Sequence, residues 1–149
     1  MTSSWQTTLP LTTPALALFL LGCSEPDWTR VIGNLNYGPE RTISLTAPAQ
    51  VAAGKDFLVT VQTVGGTGCI RADGSEVTLA GNQARLIPYD EIPLDGRGCF
   101  RNLRGYDHTT RLRFQEPGPA TLRIIGYFGV PATAVLDSAE ITIQVEPTP

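Results

Sequence analysis

The chain has 149 residues and a formal net charge of −3, with 17% charged residues, which is not the clearly basic balance that a nucleic-acid binder usually needs. Its 15 glycines and 12 prolines exceed the usual proportion of these residues and disfavour long helices. No charged side chain occurs in residues 1–24, and the rest of the chain is long enough for one domain with its own core but too short for two ordinary ones.

The N-terminal segment has the pattern of an export signal. An apolar run over residues 15–22 is too short to span a bilayer as a helix but fits the hydrophobic region of a secretory signal. Leu20, Leu21, Gly22 and Cys23 resemble the lipobox of bacterial lipoproteins, in which the cysteine is lipidated and becomes the N-terminus after cleavage. This resemblance implies a signal peptide over residues 1–22, a lipid on Cys23 and a membrane-anchored location in the periplasm or at the cell surface.

The segment departs from the lipoprotein pattern in one respect, because no lysine or arginine precedes the apolar run. Simple secretion, an uncleaved hydrophobic anchor, a misplaced start and a buried cytosolic core segment therefore remain alternatives. With Cys23 assigned to the lipid, Cys69 and Cys99 form an even pair in a compartment where disulfides persist. We expect a Cys69–Cys99 disulfide, the alternative being two buried free thiols.

The chain after Cys23 is organised as a polar lead followed by strand-like segments. Residues 23–40 are predicted to form a tether, and a short first strand near Trp28 is the alternative. Alternating apolar residues then predict strands without any helical stripe. The predicted strands are 42–46, 57–64, 76–80, 84–89, 109–115, 120–128 and 139–146, with an irregular passage over 90–108. About seven short strands predict an all-β domain over residues 41–147, a sandwich or a barrel.

Two stretches resemble immunoglobulin-like or fibronectin-III-like domains of bacterial surface lipoproteins. One is Pro48, Val51, Gly54 and Phe57 with the alternation that follows, and the other is the turn and strand over residues 114–124. The resemblance implies an antiparallel Ig-like β-sandwich. Two family features are missing, since no tryptophan falls in the predicted sandwich and the cysteines do not lie in the usual pair of strands. The disulfide would instead staple a long loop, from about residue 68 to 108, to one end of the domain.

The search for catalytic and metal-binding patterns is mostly negative. His108 is the sole histidine, and we interpret it as an ordinary loop or strand-edge residue. No phosphate loop, dinucleotide fingerprint or serine elbow is present. We therefore assign no catalytic residue, no cofactor and no metal ligand, and we expect a protein that is not an enzyme. Calcium is a weaker hypothesis, based on acidic loop residues that also suit turns: Asp73, Glu76, Asp90, Glu91, Asp95 and Asp107.

Five arginines lie between positions 97 and 113, interleaved with aromatic residues. Arginine and tyrosine are enriched at interfaces, so we predict a partner-binding set here. Its members are Arg97, Phe100, Arg101, Arg104, Tyr106, Arg111 and Arg113. The alternative is a solvated edge strand whose arginines pair with Glu140 or Glu146.

The expected function is that of a non-enzymatic, lipid-anchored extracytoplasmic binding or accessory module. The expected partners are the membrane, through the lipid, and a protein, plausibly a membrane-associated complex on which the module docks as a subunit. We expect no nucleic acid. The alternative is a module that binds carbohydrate or calcium through Tyr89, Tyr106 and the acidic loops.

Overall fold

A computed structural model describes residues 27–38, 40–95 and 99–148. The predicted signal peptide, Cys23 and Arg97 lie outside these residues. The described chain forms ten strands and no helix, and a membrane-crossing helix is not found among these residues. The strands are β1 Trp28–Ile32, β2 Asn34–Asn36, β3 Leu45–Thr46, β4 Gln50–Ala52, β5 Phe57–Thr67, β6 Arg71–Ala80, β7 Gln83–Pro93, β8 Arg101–Leu112, β9 Gly118–Phe128 and β10 Val135–Glu146.

The strands form two sheets, which confirms the all-β prediction. The smaller sheet has the order β3-β5-β8, and the larger sheet contains the other seven strands. The prediction of purely antiparallel pairing is wrong, because β2–β9, β4–β10 and β7–β9 are parallel. The physical reason is the path of the chain: after β7 it crosses to the smaller sheet as β8 and returns as β9, and only such a crossover gives a parallel pair.

Two segments are more ordered than the sequence predicted. Trp28 to Asn36, assigned to the tether with room for a first strand, pairs with β7 and then with β9. The passage over residues 90–108 is mostly strand, since β7 continues to Pro93 and β8 begins at Arg101. Pro88 lies within β7. Its carbonyl accepts a hydrogen bond from the Gly33 amide at 2.9 Å, and proline has no N–H that would need a partner.

The core lies between the sheets and is built from alternate residues of the long strands. Val59 and Val61 of β5 face Leu122 and Ile124 of β9, with all four side chains at 0% exposure. The burial of these four side chains, and of Ile143 and Val145 in β10, agrees with the predicted two-residue alternation. The periodic strands therefore bury the side chains that their pattern assigns to the interior.

The predicted Cys69–Cys99 disulfide is present. It joins the turn after β5 to the residues that precede β8, with a Cα–Cα distance of 5.4 Å and a sequence separation of 30. A hydrogen bond from the Gly68 amide to the Phe100 carbonyl, at 2.9 Å, accompanies it. The start of β8 is thus fixed to the end of β5.

The double variant Cys69→Ala/Cys99→Ala should lower the free energy of unfolding by about 3–4 kcal/mol, because a cross-link of this span removes loop entropy from the unfolded chain. Urea denaturation of the two proteins measures the difference.

The oxidised wild type should also be two hydrogens lighter than its reduced form in an intact-mass measurement. Equal masses would contradict the disulfide.

Candidate functional site

A cleft of about 790 Å³ opens at the end of the domain that carries the disulfide. Its walls come from β1, β2, the last residues of β5 and β7, the disulfide segment and the turn between β9 and β10. The walls are largely apolar, and the polar groups among them are few. The apolar side includes Val31, Ile32, Val64, Ile70 and Ile92, and the polar side includes Asn34, Tyr37, Asp90 and Arg101.

Beside the cleft the chain changes partner at Gly33, which separates β1 from β2. The Gly33 amide donates to the Pro88 carbonyl in β7 at 2.9 Å, and the Gly33 carbonyl accepts from the Tyr127 amide in β9 at 3.0 Å. A Cβ at this position would collide with the methyl group of Thr63, so the close approach of the two sheets requires glycine here. Before Gly33 the chain pairs with β7 as β1, and after Gly33 it pairs with β9 as β2.

A buried carboxylate lies at the floor of the cleft. Asp90 is 3% exposed, and its Oδ1 accepts a hydrogen bond from the Thr63 hydroxyl at 2.9 Å. The Nε2 atom of His108 lies 3.0 Å from the same oxygen. Since an isolated charge is costly to bury, these two partners are what permit a carboxylate at this depth.

The imidazole of His108 faces acceptors on both sides. Its Nδ1 lies 3.0 Å from the Gly74 carbonyl, which can only accept, so Nδ1 donates. Its Nε2 lies 3.0 Å from the Asp90 Oδ1 and 3.0 Å from the Thr63 hydroxyl, so the three side chains form one hydrogen-bonded network. Gly74 lies in β6 where the register against β7 shifts. The network therefore ties β5 and β8 of the smaller sheet to β6 and β7 of the larger one.

The interpretation of His108 as a loop or strand-edge residue is wrong, because its side chain is 2% exposed within the network. The neighbouring Asp107 points away, as expected, and accepts from Gln62 at 2.9 Å. Among the residues that the structure describes, no three histidine, cysteine or acidic side chains come together as a metal site.

Tyr37 supplies a second polar group to the cleft. Burial raises the pKa of its phenol, the backbone of Gly66 lowers it, and the Asp90 carboxylate and Tyr106 raise it further. The net shift is upward, so the phenol stays neutral and keeps its hydrogen for donation.

The structure divides the predicted partner-binding set between two places. Arg101 lines the cleft, Phe100 beside it is 84% exposed, and Tyr106 donates to the Thr67 carbonyl at 2.9 Å. Arg111 lies ten residues further along β8, about 30 Å away at the usual rise of a strand. The remaining arginine near the cleft end, Arg104, is exposed.

An ion-pair cluster around Asp56 lies at the end of β8 that is remote from the cleft. Arg113 approaches this carboxylate at 2.6 Å and Arg111 at 3.9 Å, so the suggested pairing with Glu140 or Glu146 is wrong. The hydrogen bond from Arg113 lowers the pKa of Asp56, and the stabilisation that it brings is lost as the pH falls through that lowered value. Because the cluster is exposed, its contribution is small.

Three of the residues suggested for carbohydrate or calcium, Tyr89, Asp73 and Glu91, are engaged by arginines. The Arg30 guanidinium lies 3.8 Å from the centroid of the Tyr89 ring and pairs with Asp73 at 2.6 Å. Arg71 stacks in the same way on Trp28 and pairs with Glu91 at 2.5 Å. The aromatic faces and carboxylates on this side of β1, β7 and β6 are therefore satisfied within the chain.

Exposed apolar side chains occur in the segments that line the cleft, and we call them the apolar rim. We define it by five exposed side chains that line the cleft or directly adjoin a lining residue in sequence. They are Leu94 at 66% exposure, Phe100 at 84%, Tyr127 at 36%, Val130 at 50% and Val135 at 61%. Of these five side chains, sequence reasoning singled out only Phe100.

Comparison with known proteins finds no matching family model, no matching curated protein and no matching solved structure.

Replacing Thr63 with valine should lower the free energy of unfolding by about 1–3 kcal/mol, because the Asp90 carboxylate loses a buried hydrogen-bond donor. Thr60→Val is the matched control on the same strand, where the hydroxyl only meets Thr109 at the surface, and should cost less than about 0.5 kcal/mol. Chemical denaturation measures both. Equal costs would show that the buried network adds no stability beyond packing.

Proposed function

We propose that the protein is a non-enzymatic, lipid-anchored extracytoplasmic binding module, and that the cleft with its rim docks on a membrane-associated protein complex. The observation that carries the proposal is the rim. Its five exposed apolar side chains belong to segments that line one cleft, and large exposed apolar patches mark sites of interaction. Phe100 and Arg101, two members of the predicted set, belong to this end of the domain.

The point where the described chain begins supports a site close to the membrane. The Asp27 carbonyl accepts from the Leu94 amide at 2.8 Å, which places the first described residue beside the rim. Cys23 precedes Asp27 by four residues, a span of at most about 14 Å. A lipid on Cys23 would therefore hold the rim close to the bilayer surface.

The immunoglobulin-like or fibronectin-III-like assignment is part of this proposal. Two facing sheets, with long antiparallel pairs β5–β8 and β9–β10, support it. The parallel β7–β9 pair is a departure from that family pattern. The rigid support of loops by two packed sheets is the property that the proposed function needs.

A binding role fits Thr63, Asp90 and His108 better than a catalytic one. These residues contain the hydroxyl, carboxylate and imidazole that hydrolytic enzymes use. Thr63 is 0% exposed and His108 is 2% exposed, so a substrate does not reach the groups that would react. Their hydrogen bonds satisfy one another and the backbone of β6.

A small molecule is the second candidate ligand, favoured by the volume of the cleft, which lies in the range of ligand pockets. Thermal unfolding in the presence of calcium and of a glycan panel tests it. A reproducible rise in melting temperature with one compound would support this candidate, and a flat response across the panel would remove it.

Photocrosslinking in native membranes tests the proposed function. The full chain carries benzoylphenylalanine in place of Phe100, and a matched variant carries it in place of Leu58, which is 57% exposed at the far end of the smaller sheet. We expect one dominant protein adduct from position 100 and none from position 58. Replacing Cys23 with serine should reduce that adduct strongly, because the anchor is lost.

Adducts of equal yield from both positions, or no protein adduct from position 100, would contradict docking through the rim. An adduct unaffected by Cys23→Ser would contradict the lipid anchor but not the docking surface.

A further inference from the structure

One edge of β1 has no strand partner within the part of the chain that the structure describes. β1 pairs with β7 through five residues, Trp28 opposite Pro93 to Ile32 opposite Tyr89, and ends the path of the larger sheet. Val31 and Ile32 line the cleft. An unpaired strand edge beside an apolar cleft is a template for another strand.

The register identifies which backbone groups point to that edge. Hydrogen bonds from Leu94 to Asp27 and from Gly33 to Pro88 fix two hydrogen-bonded pairs, one at each end of β1. Such pairs alternate along an antiparallel ladder, so Thr29 and Val31 also bond to β7. The amides and carbonyls of the intervening residues point to the unpaired edge, and these residues are Trp28, Arg30 and Ile32.

We infer that an extended segment of the partner adds to β1 as a further strand, with apolar side chains in the cleft and a carboxylate against Arg101. This inference rests on the proposed function and names the element that the partner contributes. Main-chain hydrogen bonds to an exposed edge provide affinity, and pockets for alternate side chains provide selectivity.

The charges at the cleft favour an acidic side chain on the incoming strand. Arg101 lines the cleft and forms no ion pair with a described residue, unlike Arg111 and Arg113 at the other end of β8. A guanidinium binds a carboxylate through two parallel hydrogen bonds. Asp90 also lines the cleft, and its Oδ1 already has the Thr63 hydroxyl and the His108 imidazole as partners.

A peptide fits these groups better than an acyl chain. The cleft contains the neutral phenol of Tyr37, and it is also lined by Ile32, whose amide and carbonyl point to the edge of β1. An acyl chain would remove these polar groups from water without a hydrogen-bond partner, which is costly. A peptide backbone supplies donors and acceptors for the same groups.

A displayed library of random ten-residue peptides, selected on the full chain in detergent, tests this inference. We expect enrichment of peptides with apolar residues at alternate positions and an acidic residue. The most enriched peptide, made synthetically, should bind Arg30→Pro at least tenfold more weakly than Arg30→Ala. Both variants lose the contacts to Tyr89 and Asp73, but only proline removes the edge amide, and proline is tolerated on a strand edge.

A second pair of variants keeps the test decisive if Arg30→Pro fails to fold. Arg101→Gln should weaken the peptide at least fivefold, whereas Arg111→Gln should leave binding unchanged. Equal binding to Arg30→Pro and Arg30→Ala, or to the two glutamine variants, would overturn the inference, as would the absence of any enriched peptide.

Two other occupants are also separated by this assay. Displacement of the selected peptide by a synthetic peptide of residues 9–22 would assign the edge to the chain's own N-terminal segment. Loss of peptide binding when the full chain associates with itself would assign the edge to a second copy of the chain. Either result overturns the inference and leaves the crosslinking test of the proposed function intact.

Discussion

The buried carboxylate of Asp90 is the constraint on which the arrangement of this domain depends. At 3% exposure it requires partners within the fold, and it obtains them from the smaller sheet, through the Thr63 hydroxyl and the His108 imidazole. His108 in turn donates to the Gly74 carbonyl in β6. The two sheets are therefore joined by a polar network as well as by apolar packing, and that network forms the floor of the cleft.

The cleft follows from how the chain passes around this network. Gly33 lies against Thr63, and the chain pairs with β7 before Gly33, as β1, and with β9 after it, as β2. The disulfide then holds Cys99, and with it Phe100 and Arg101, at the rim. One end of the domain thus combines an apolar cavity, an arginine and a strand edge that is unpaired among the described residues. We propose that this end is where the module binds its partner.

The parts of the fold that sequence predicts are those set by local periodicity. Ile143 and Val145 alternate with polar residues and are buried as expected, and the pairing of Cys69 with Cys99 follows from their number. Asp90 and His108 were assigned to an irregular passage, because polar residues are not expected to continue a buried strand. Their contact joins positions 18 apart through two different sheets, which no local pattern encodes. The predicted arginine set is divided for a related reason. Residues ten positions apart in one extended strand, such as Arg101 and Arg111, lie about 30 Å from each other.

Residue-resolved amide hydrogen exchange on the full chain tests the unpaired edge of β1 most directly. In the isolated protein, the amides of Arg30 and Ile32 should exchange rapidly, whereas those of Thr29 and Val31 should be protected by their bonds to β7. With the proposed partner bound, Arg30 and Ile32 should become protected as well. Equal protection of all four amides in the isolated protein, or no change at Arg30 and Ile32 on docking, would contradict the account.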